Sequence, residues 1–418
     1  MQHTTMKNPD FDIAICGGGM VGAAVAALIR SEASLRDLRV ALIEAKFPNQ
    51  APTDEVDIRV SAVSRASQRI LTRAGAWQLL TANQRAPYGD MRVWDARNQH
   101  DSDNALNFSA SSLGEPDLGH IIANNCLQWS ILEAARDERI TRFASQLSAI
   151  TLDTHAAQLS LVDGRRISAR LVIGADGARS VSRECVGIAA RVRPYQQTAL
   201  VTHVRTQHPH NRTALQRFLP QGPIAFLPLN DGRSSIVWTT TPEHAAELLQ
   251  MDDASLSQAI TTTSDRALGE VSVAAPRGTF PLQLAQVDEY CRPRFVLVGD
   301  AAHTVHPLAG QGVNLGFMDA ASLVQILSEA RAAGASIEAL SEMPVLRRYE
   351  RWRKTENTHA LGLVDAINRL FSNDTQSLGT LRRFGLRTLE QSPLAKRMLM
   401  LRALGLAGER PAIVRQAT

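Results

Sequence analysis

The sequence predicts an α/β fold: a nucleotide domain built on a parallel sheet, interrupted by a separate β-sheet domain and followed by a helical C-terminal region. Three observations carry this. A short apolar strand, Phe11 to Ile15, runs straight into Gly17-Gly18-Gly19-Met20-Val21-Gly22 and a series of small residues. A second apolar strand, Arg294 to Val298, ends in Gly299-Asp300, and beyond it lie a glycine-containing turn and a helical pattern from Val313 to about Leu327. Between them, from about Val192 to Pro281, the pattern changes to short β-type runs with turns, such as Ile236 to Thr240 after Asn230-Asp231-Gly232.

The first strand and its glycines satisfy G-x-G-x-x-G in the setting that gives this pattern meaning. Gly17 permits a tight turn, Gly19 lets the backbone approach a pyrophosphate, and Gly22 with Ala23, Ala24, Ala26 and Ala27 lets the helix pack closely on the sheet. The next strand, Val40 to Ile43, ends in Glu44, at the distance expected for an acid that binds an adenosine ribose. The chain has one such Rossmann-like fingerprint, so either a nicotinamide alone occupies it or a flavin does and the nicotinamide visits. The Asp300 region favours flavin. Arg294 to Val298 reads as a buried, parallel strand, and an aspartate at its carboxyl end can accept hydrogen bonds from ribityl hydroxyls. Gly310 and Gly312 remove side chains that would hold a flat ring off the backbone. The helix start at Val313 and Asn314 offers free N–H groups to a reduced flavin, which is negative near N1 and O2. A third buried-type strand, Arg170 to Gly174, leads into Asp176-Gly177, which by itself is an ordinary turn.

Taken in order, the Gly17–Gly22 turn, the Gly174-Ala175-Asp176-Gly177 element and Gly299-Asp300 with its glycine turn resemble the class A flavin monooxygenases, whose best-known member is para-hydroxybenzoate hydroxylase. The stretch His306 to Gly316 is similar to the signature of the ubiquinone-biosynthesis hydroxylases among them. The likeness spans nearly the whole chain, through Asp57 to Ala62, Asn124 to Gln128, Ala225 to Leu229 and Pro344 to Tyr349. The branch it looks most like hydroxylates a methylated, methoxylated polyprenyl benzoquinol.

The resemblance implies a para-hydroxybenzoate hydroxylase-like fold. The FAD-binding Rossmann-like domain is expected over 1–75, 100–190 and 282–345, an inserted β-sheet substrate domain over 76–99 and 191–281, and a C-terminal helical region over 346–418. It further implies bound FAD, NADH or NADPH as a transient reductant, O2, and a polyprenylated phenol or quinol whose ring is hydroxylated through a C4a-hydroperoxide. By position, Glu44 is expected on the adenosine ribose, Arg59 near the flavin phosphates, Asn124 against the cofactor from the neighbouring helix, Asp176 on the nicotinamide and flavin side, and Asp300 on the ribityl chain. Pro307, Gly312, Val313 and Asn314 would line the isoalloxazine. Read without the resemblance, Arg59 is equally a solvated arginine and Asn124 equally a helix cap. His306 is a candidate for proton transfer, or a packing or capping residue. The tyrosine relay of para-hydroxybenzoate hydroxylase finds no match, so no phenol-deprotonating residue is assigned. Phe218, Phe226 and Leu229 are candidates for the ring pocket, or individually ordinary core residues. Rival readings are a reductase or epoxidase of the same fold, an FAD-bound scaffold, and a nicotinamide-only dehydrogenase.

Composition fits this picture. The 418 residues suffice for two or three domains, and a formal charge of +4 is too small to point to nucleic acid. Cys16, Cys126, Cys185 and Cys291 are scattered, which argues against a disulfide framework or structural zinc. His303 with His306, and His203 with His208 and His210, lack the spacing of a metal site. With no long apolar stretch and no apolar core in Met1 to Asp10, the expectation is a cytoplasmic protein with neither a spanning helix nor a signal peptide. Asn98 to Gly119 reads as a loose excursion. Arg347, Arg348, Arg351, Arg353 and Lys354, and then the Leu-, Met- and Arg-rich segment Leu381 to Leu406, form a basic region. It suits either packing on protein, including a biosynthetic complex, or peripheral contact with the inner face of the membrane.

Overall fold

The computed structural model describes residues 8–53, 55–102, 105–304, 312–371, 390 and 392–415. At its centre the strands Phe11–Cys16, Val40–Glu44, Arg166–Gly174 and Phe295–Leu297 lie parallel, with Ile140–Ala144 continuing the parallel set beyond Val40–Glu44. Their residues are almost wholly buried, the pattern of a sheet covered on both faces. An antiparallel hairpin, Leu147–Leu152 and Ala157–Leu161, is attached to the edge of Arg166–Gly174 that leads away from the nucleotide turn.

The helix Met20–Ser31 packs against this sheet because it is nearly all small or aliphatic. Gly22 through Ile29 are buried, and only Arg30 and its neighbours reach the surface. The helix Gly312–Ala332 crosses it where Gly316 leaves room for Val21. A Cβ on Gly316 would come within 2.5 Å of Val21 Cγ2, and one on Gly299 within 3.2 Å of Val21 Cγ1. The first turns of the two helices therefore meet at one contact.

A second, nine-stranded sheet holds the long strand Ala190–Thr206 at its middle, flanked by Gly278–Val287 and Ser234–Thr240. The helices Pro242–Gln250 and Asp253–Thr263 cover one face, where Leu200, Ile236, Trp238, Leu248 and Ile260 form a separate core. The opposite face, through Ala214, Leu227 and Leu229, packs on Ala62 and Ile121 of a three-stranded sheet formed by Val60–Ser64, Gly119–Ala123 and Ala86–Tyr88. Within Asn98 to Gly119 the chain is more ordered than a loose excursion. Leu106–Ser109 pairs antiparallel with Asp90–Asp95 at the edge of the nine-stranded sheet, so this piece lies with that sheet although the expected boundary grouped 100–190 with the nucleotide domain. The buried side of Leu106 is what anchors it.

After a short turn, Met343–Phe371 forms a long helix whose buried Tyr349, Arg353 and Asn357 face the nucleotide sheet and the helix Gly312–Ala332. Pro393–Ala403 and Ala412–Arg415 complete the described C-terminal part.

Candidate functional site

The glycine turn shows what each glycine is for. Gly17 has φ +106°, a backbone region that side chains rarely adopt, and a Cβ there would lie 2.4 Å from Ala175 O. A Cβ on Gly22 would strike Gly17 O at 1.9 Å. Gly19 is different: a Cβ there meets no atom within 4 Å. The space above Gly19 is thus open, and it faces the start of Met20–Ser31, which no side chain caps. Unpaired N–H groups over a vacant, Cβ-free surface are what a pyrophosphate requires.

Glu44 closes the neighbouring edge. Its Oε2 accepts from Gly18 N at 2.8 Å and its Oε1 from Lys46 N at 3.2 Å, so the carboxylate is held beside the glycine turn with lone pairs to spare. Gln128 Nε2 donates to Gly18 O from the helix Asn124–Ala134. Asn124 opens that helix but does not cap it. It accepts from Ser61 Oγ at 2.7 Å, and its backbone N–H goes to Arg59 O. Arg59 is exposed, with its guanidinium 5.4 Å from the centre of the Phe280 ring, at the junction of the nucleotide part and the nine-stranded sheet.

Asp300 lies in the single turn Gly299–Ala301 at the carboxyl end of Phe295–Leu297. Its carboxyl is open to the cleft on one side. The protein packed around the rest raises its pKa, with His303 and Arg59 pulling down and Asp319 pushing up. Arg59 thus stands near enough to Asp300 for its charge to act on it.

Two expected residues do something else with their side chains. Asn314, buried, accepts from Ser64 N at 3.0 Å and donates to Ala62 O at 2.8 Å. Its amide ties the helix start to the strand Val60–Ser64, which leaves only its backbone to face a ring. Asp176 accepts from Ser180 Oγ and from Ser182 N and Oγ, both of the latter at 2.8 Å, and so braces the turn that buttresses Gly17. A carboxylate engaged three times by its own loop has little capacity left for a nicotinamide. Gly312 and Val313, half-buried, begin the helix as expected, and a Cβ on Gly312 would meet nothing. His306 and Pro307 lie outside the described residues, as does Gly310.

Of the ring-pocket candidates, Phe226 faces away from the cleft, into the helix-covered core with Trp238 and Leu248, because strand alternation puts Leu227 on the other side. Phe218 is buried. Leu229 lines a cavity of about 330 Å³ with Val56, Ala86, Ile121 and Ala123, at the rim of which stand Glu55 and Asp231.

Against known proteins, a model of the FAD binding domain matches residues 10–354. The chain is 37% identical to 3-demethoxyubiquinol 3-hydroxylase of Escherichia coli, over 96% of this chain and all of that protein. It is 34% identical to the ubiquinone biosynthesis monooxygenase COQ6 of Danio rerio (95% and 90% covered) and to the ubiquinone hydroxylase UbiL of Rhodospirillum rubrum (97% and 92%). The chain belongs to the FAD-dependent ubiquinone-biosynthesis hydroxylase family. Among solved structures it is similar to p-nitrophenol 4-monooxygenase from Pseudomonas putida, with TM-score 0.74 at 18% identity over 97% of this chain and all of that one. It is also similar to the Klebsiella pneumoniae protein HpxO in complex with FAD and uric acid, with TM-score 0.71 at 16% identity over 94% and 96%. These two establish the para-hydroxybenzoate hydroxylase-like fold.

For a member of this FAD-binding family, the open surface over Gly19 and the acid at Asp300 fit the cofactor. What sequence reading missed stands directly behind Asp300. Asp319, fully buried, accepts from four donors: Gly299 N at 3.0 Å, His303 Nε2 at 2.5 Å, Arg353 Nε at 2.8 Å and Asn357 Nδ2 at 3.0 Å. Burial alone would raise its pKa; His303 and Arg353 reverse this and hold it well below the usual carboxylate range. The signal was present: an acid in the otherwise apolar and small-residue run Leu315 to Val324 has to be paired. It also commits the Nε2 of His303 to Asp319.

Proposed function

We propose that this protein is an FAD-dependent monooxygenase that hydroxylates the aromatic ring of a polyprenylated phenol or benzoquinol in ubiquinone biosynthesis, using NADH or NADPH and O2. One observation carries the reading. The chain is related over 96% of its length to a ubiquinone-pathway hydroxylase, and its surface over Gly19, beside Glu44, is open. The branch that acts on a methylated, methoxylated benzoquinol is the one we favour, because the relative named 3-demethoxyubiquinol 3-hydroxylase aligns over its whole length.

When bound, FAD supplies hydride acceptance from the nicotinamide and activation of O2. The protein's share is binding, orientation and exclusion of water. Met20, Val21 and Gly22 offer N–H groups to the pyrophosphate, Glu44 accepts from the ribose hydroxyls, and Arg59 balances phosphate charge. Asp300 accepts from the ribityl chain. The backbone at Gly312, Val313 and Asn314 places the positive end of a helix where negative charge develops on the reduced ring. Asn314 holds that helix end against Ala62 and Ser64 and so fixes the distance between the two walls of the ring site. The apolar face Ala225, Leu227 and Val237 of the nine-stranded sheet helps keep the junction dry.

The protein works, on this reading, at the cytoplasmic side of a membrane that holds its lipid substrate. Among the described residues no helix is long and apolar enough to cross a membrane. On the helix Pro393–Ala403, Leu394 and Met398 are 78% and 67% exposed, beside exposed Arg397 and Arg402. Apolar side chains ringed by cations suit an anionic lipid surface.

The test is NAD(P)H oxidation by purified, FAD-loaded protein, with and without a short-chain prenyl phenol or demethoxylated quinol, under labelled O2. The expected result is substrate-stimulated oxidation with one labelled oxygen in the product. Bound flavin without stimulation, and without labelled product across the series, would instead support a reductase or a scaffold.

A further inference from the structure

The carboxylate of Asp319 lies about two helical turns beyond Gly312, on the helix whose start faces the ring site. It grips the Asp300 turn on both sides: the backbone N–H of Gly299 immediately before Asp300, and the side chain of His303 three residues after it. From behind it is held by Arg353 and Asn357, four residues apart on the helix Met343–Phe371. Arg353 Nη2 donates to Asn357 Oδ1 at 2.6 Å, and Asn357 Nδ2 also approaches Tyr290 Oη, whose ring stacks on His303. Every carboxylate lone pair is thus used, and three separate elements converge on one buried charge.

We propose that Asp319, with Arg353, Asn357 and His303, is a positioning network for the flavin. It fixes the Asp300 turn relative to the start of the helix Gly312–Ala332, so that the ribityl acceptor and the helix end keep one spacing. The inference rests on the assignment of Asp300 to the cofactor. None of the four residues needs to touch FAD. A carboxylate buried only for stability could equally be replaced by an apolar side chain; here its donors come from the turn that presents Asp300.

The experiment compares holoenzyme and apoprotein of Asp319→Asn, Asn357→Ala and Asp300→Ala by FAD dissociation constant and flavin midpoint potential, with thermal melting as the measure of stability. Arg294→Lys is the control. Arg294 is also buried, but its guanidinium bonds to Asp153 O, Thr154 O and Ser341 Oγ at the far end of the same strand. Loss of a charge-assisted hydrogen bond from the turn predicts FAD binding weakened about ten- to a hundredfold in Asp319→Asn. The midpoint potential should rise, because Arg353 is left uncompensated. Asn357→Ala, which changes no charge, should weaken FAD with the potential unchanged, and it carries the test if Asp319→Asn does not fold. Arg294→Lys should lower the melting temperature alone. If Asp300→Ala loses FAD while both network variants bind it like the parent, the network inference is overturned. If Asp300→Ala itself binds FAD normally, the assignment beneath it fails.

Discussion

Replacing Gly19 by alanine separates folding from cofactor binding more cleanly than any other single change. The backbone at Gly19 has φ −66° and ψ −175°, an extended conformation open to any residue, and the added methyl meets no protein atom within 4 Å. Stability of the apoprotein should therefore hardly move. Reduced chain entropy in the unfolded state favours alanine by about 0.4–1 kcal/mol, and alanine's inferiority to glycine as a helix N-cap offsets roughly half a kcal/mol or more of that. FAD sees the opposite. The methyl occupies the surface that a phosphate must approach, and losing even one N–H bond to a charged oxygen removes about 1.5–3 kcal/mol, which is roughly ten- to a hundredfold in affinity. Gly22→Ala is the counter-case, because its Cβ would lie 1.9 Å from Gly17 O and the turn itself must deform, at about 1–3 kcal/mol or more of apoprotein stability. The assay is titration of apoprotein with FAD by flavin fluorescence, alongside thermal melting. Gly19→Ala with parental FAD affinity would refute the assignment of this turn to the pyrophosphate.

Four further outcomes are expected. Asn314→Ala removes two buried hydrogen bonds and strands Ser64 N and Ala62 O, so it should destabilise by about 2–4 kcal/mol in urea denaturation; a change below about 0.5 kcal/mol would show that another group ties the helix start down. Arg59→Ala, at an exposed position, should leave the melting temperature alone and weaken FAD severalfold, with the loss shrinking at high salt; an unchanged FAD affinity at low salt counts against the phosphate role. Leu394→Glu with Met398→Glu should abolish co-sedimentation with anionic vesicles while FAD binding is retained; equal sedimentation would remove this helix from the membrane reading. Burial, aided by nearby arginines, lowers His120 and His203 to about 4 from an ordinary 6.5. The unfolded chain therefore takes up protons that the native state refuses, and stability is full above about pH 6.5 and lost as pH falls towards 4, by up to about 2.7 kcal/mol per pH unit for the two together. A denaturation free energy that falls clearly less between pH 6.5 and 4.5 in His120→Gln/His203→Gln than in the parent is the expected contrast; identical profiles would contradict it.

The features legible in the sequence are those whose cause is local. Gly22 is a glycine because a Cβ would strike Gly17 O within the same turn, and Gly17 because the turn gives it φ +106°; its close approach to Ala175 adds a reason from far along the chain. The buried run at Phe295–Leu297 and the helix from Gly312 could likewise be read locally. Asn314 was legible as a residue of importance but not in its role, since the acceptor and donor it serves lie at Ala62 and Ser64. Asp319 escaped because its partners are drawn from the turn Gly299 to His303 and from Arg353 and Asn357, positions that only the packed helices bring together. For Phe226 the sequence leaves ring pocket and core both open, because a run of consecutive apolar residues, Ile224 to Leu229, carries no alternation to tell the two sides of its strand apart.

The order of strands in the nucleotide sheet also sets a timetable for synthesis. Phe11–Cys16 is made well before its distant neighbours in the sheet: the edge next to Arg166–Gly174 is filled by Phe295–Leu297, and the contact at Val21 is completed only by Gly299 and Gly316. At about 5–20 residues per second, the stretch between Cys16 and Phe295 takes roughly 15 to 60 seconds to make. Throughout that interval the nascent glycine turn has neither its closing helix nor the aspartate across the cleft. Cofactor capture therefore follows the synthesis of Gly299 to Gly316, and an apolar half-sheet must be shielded until Phe295–Leu297 has been made.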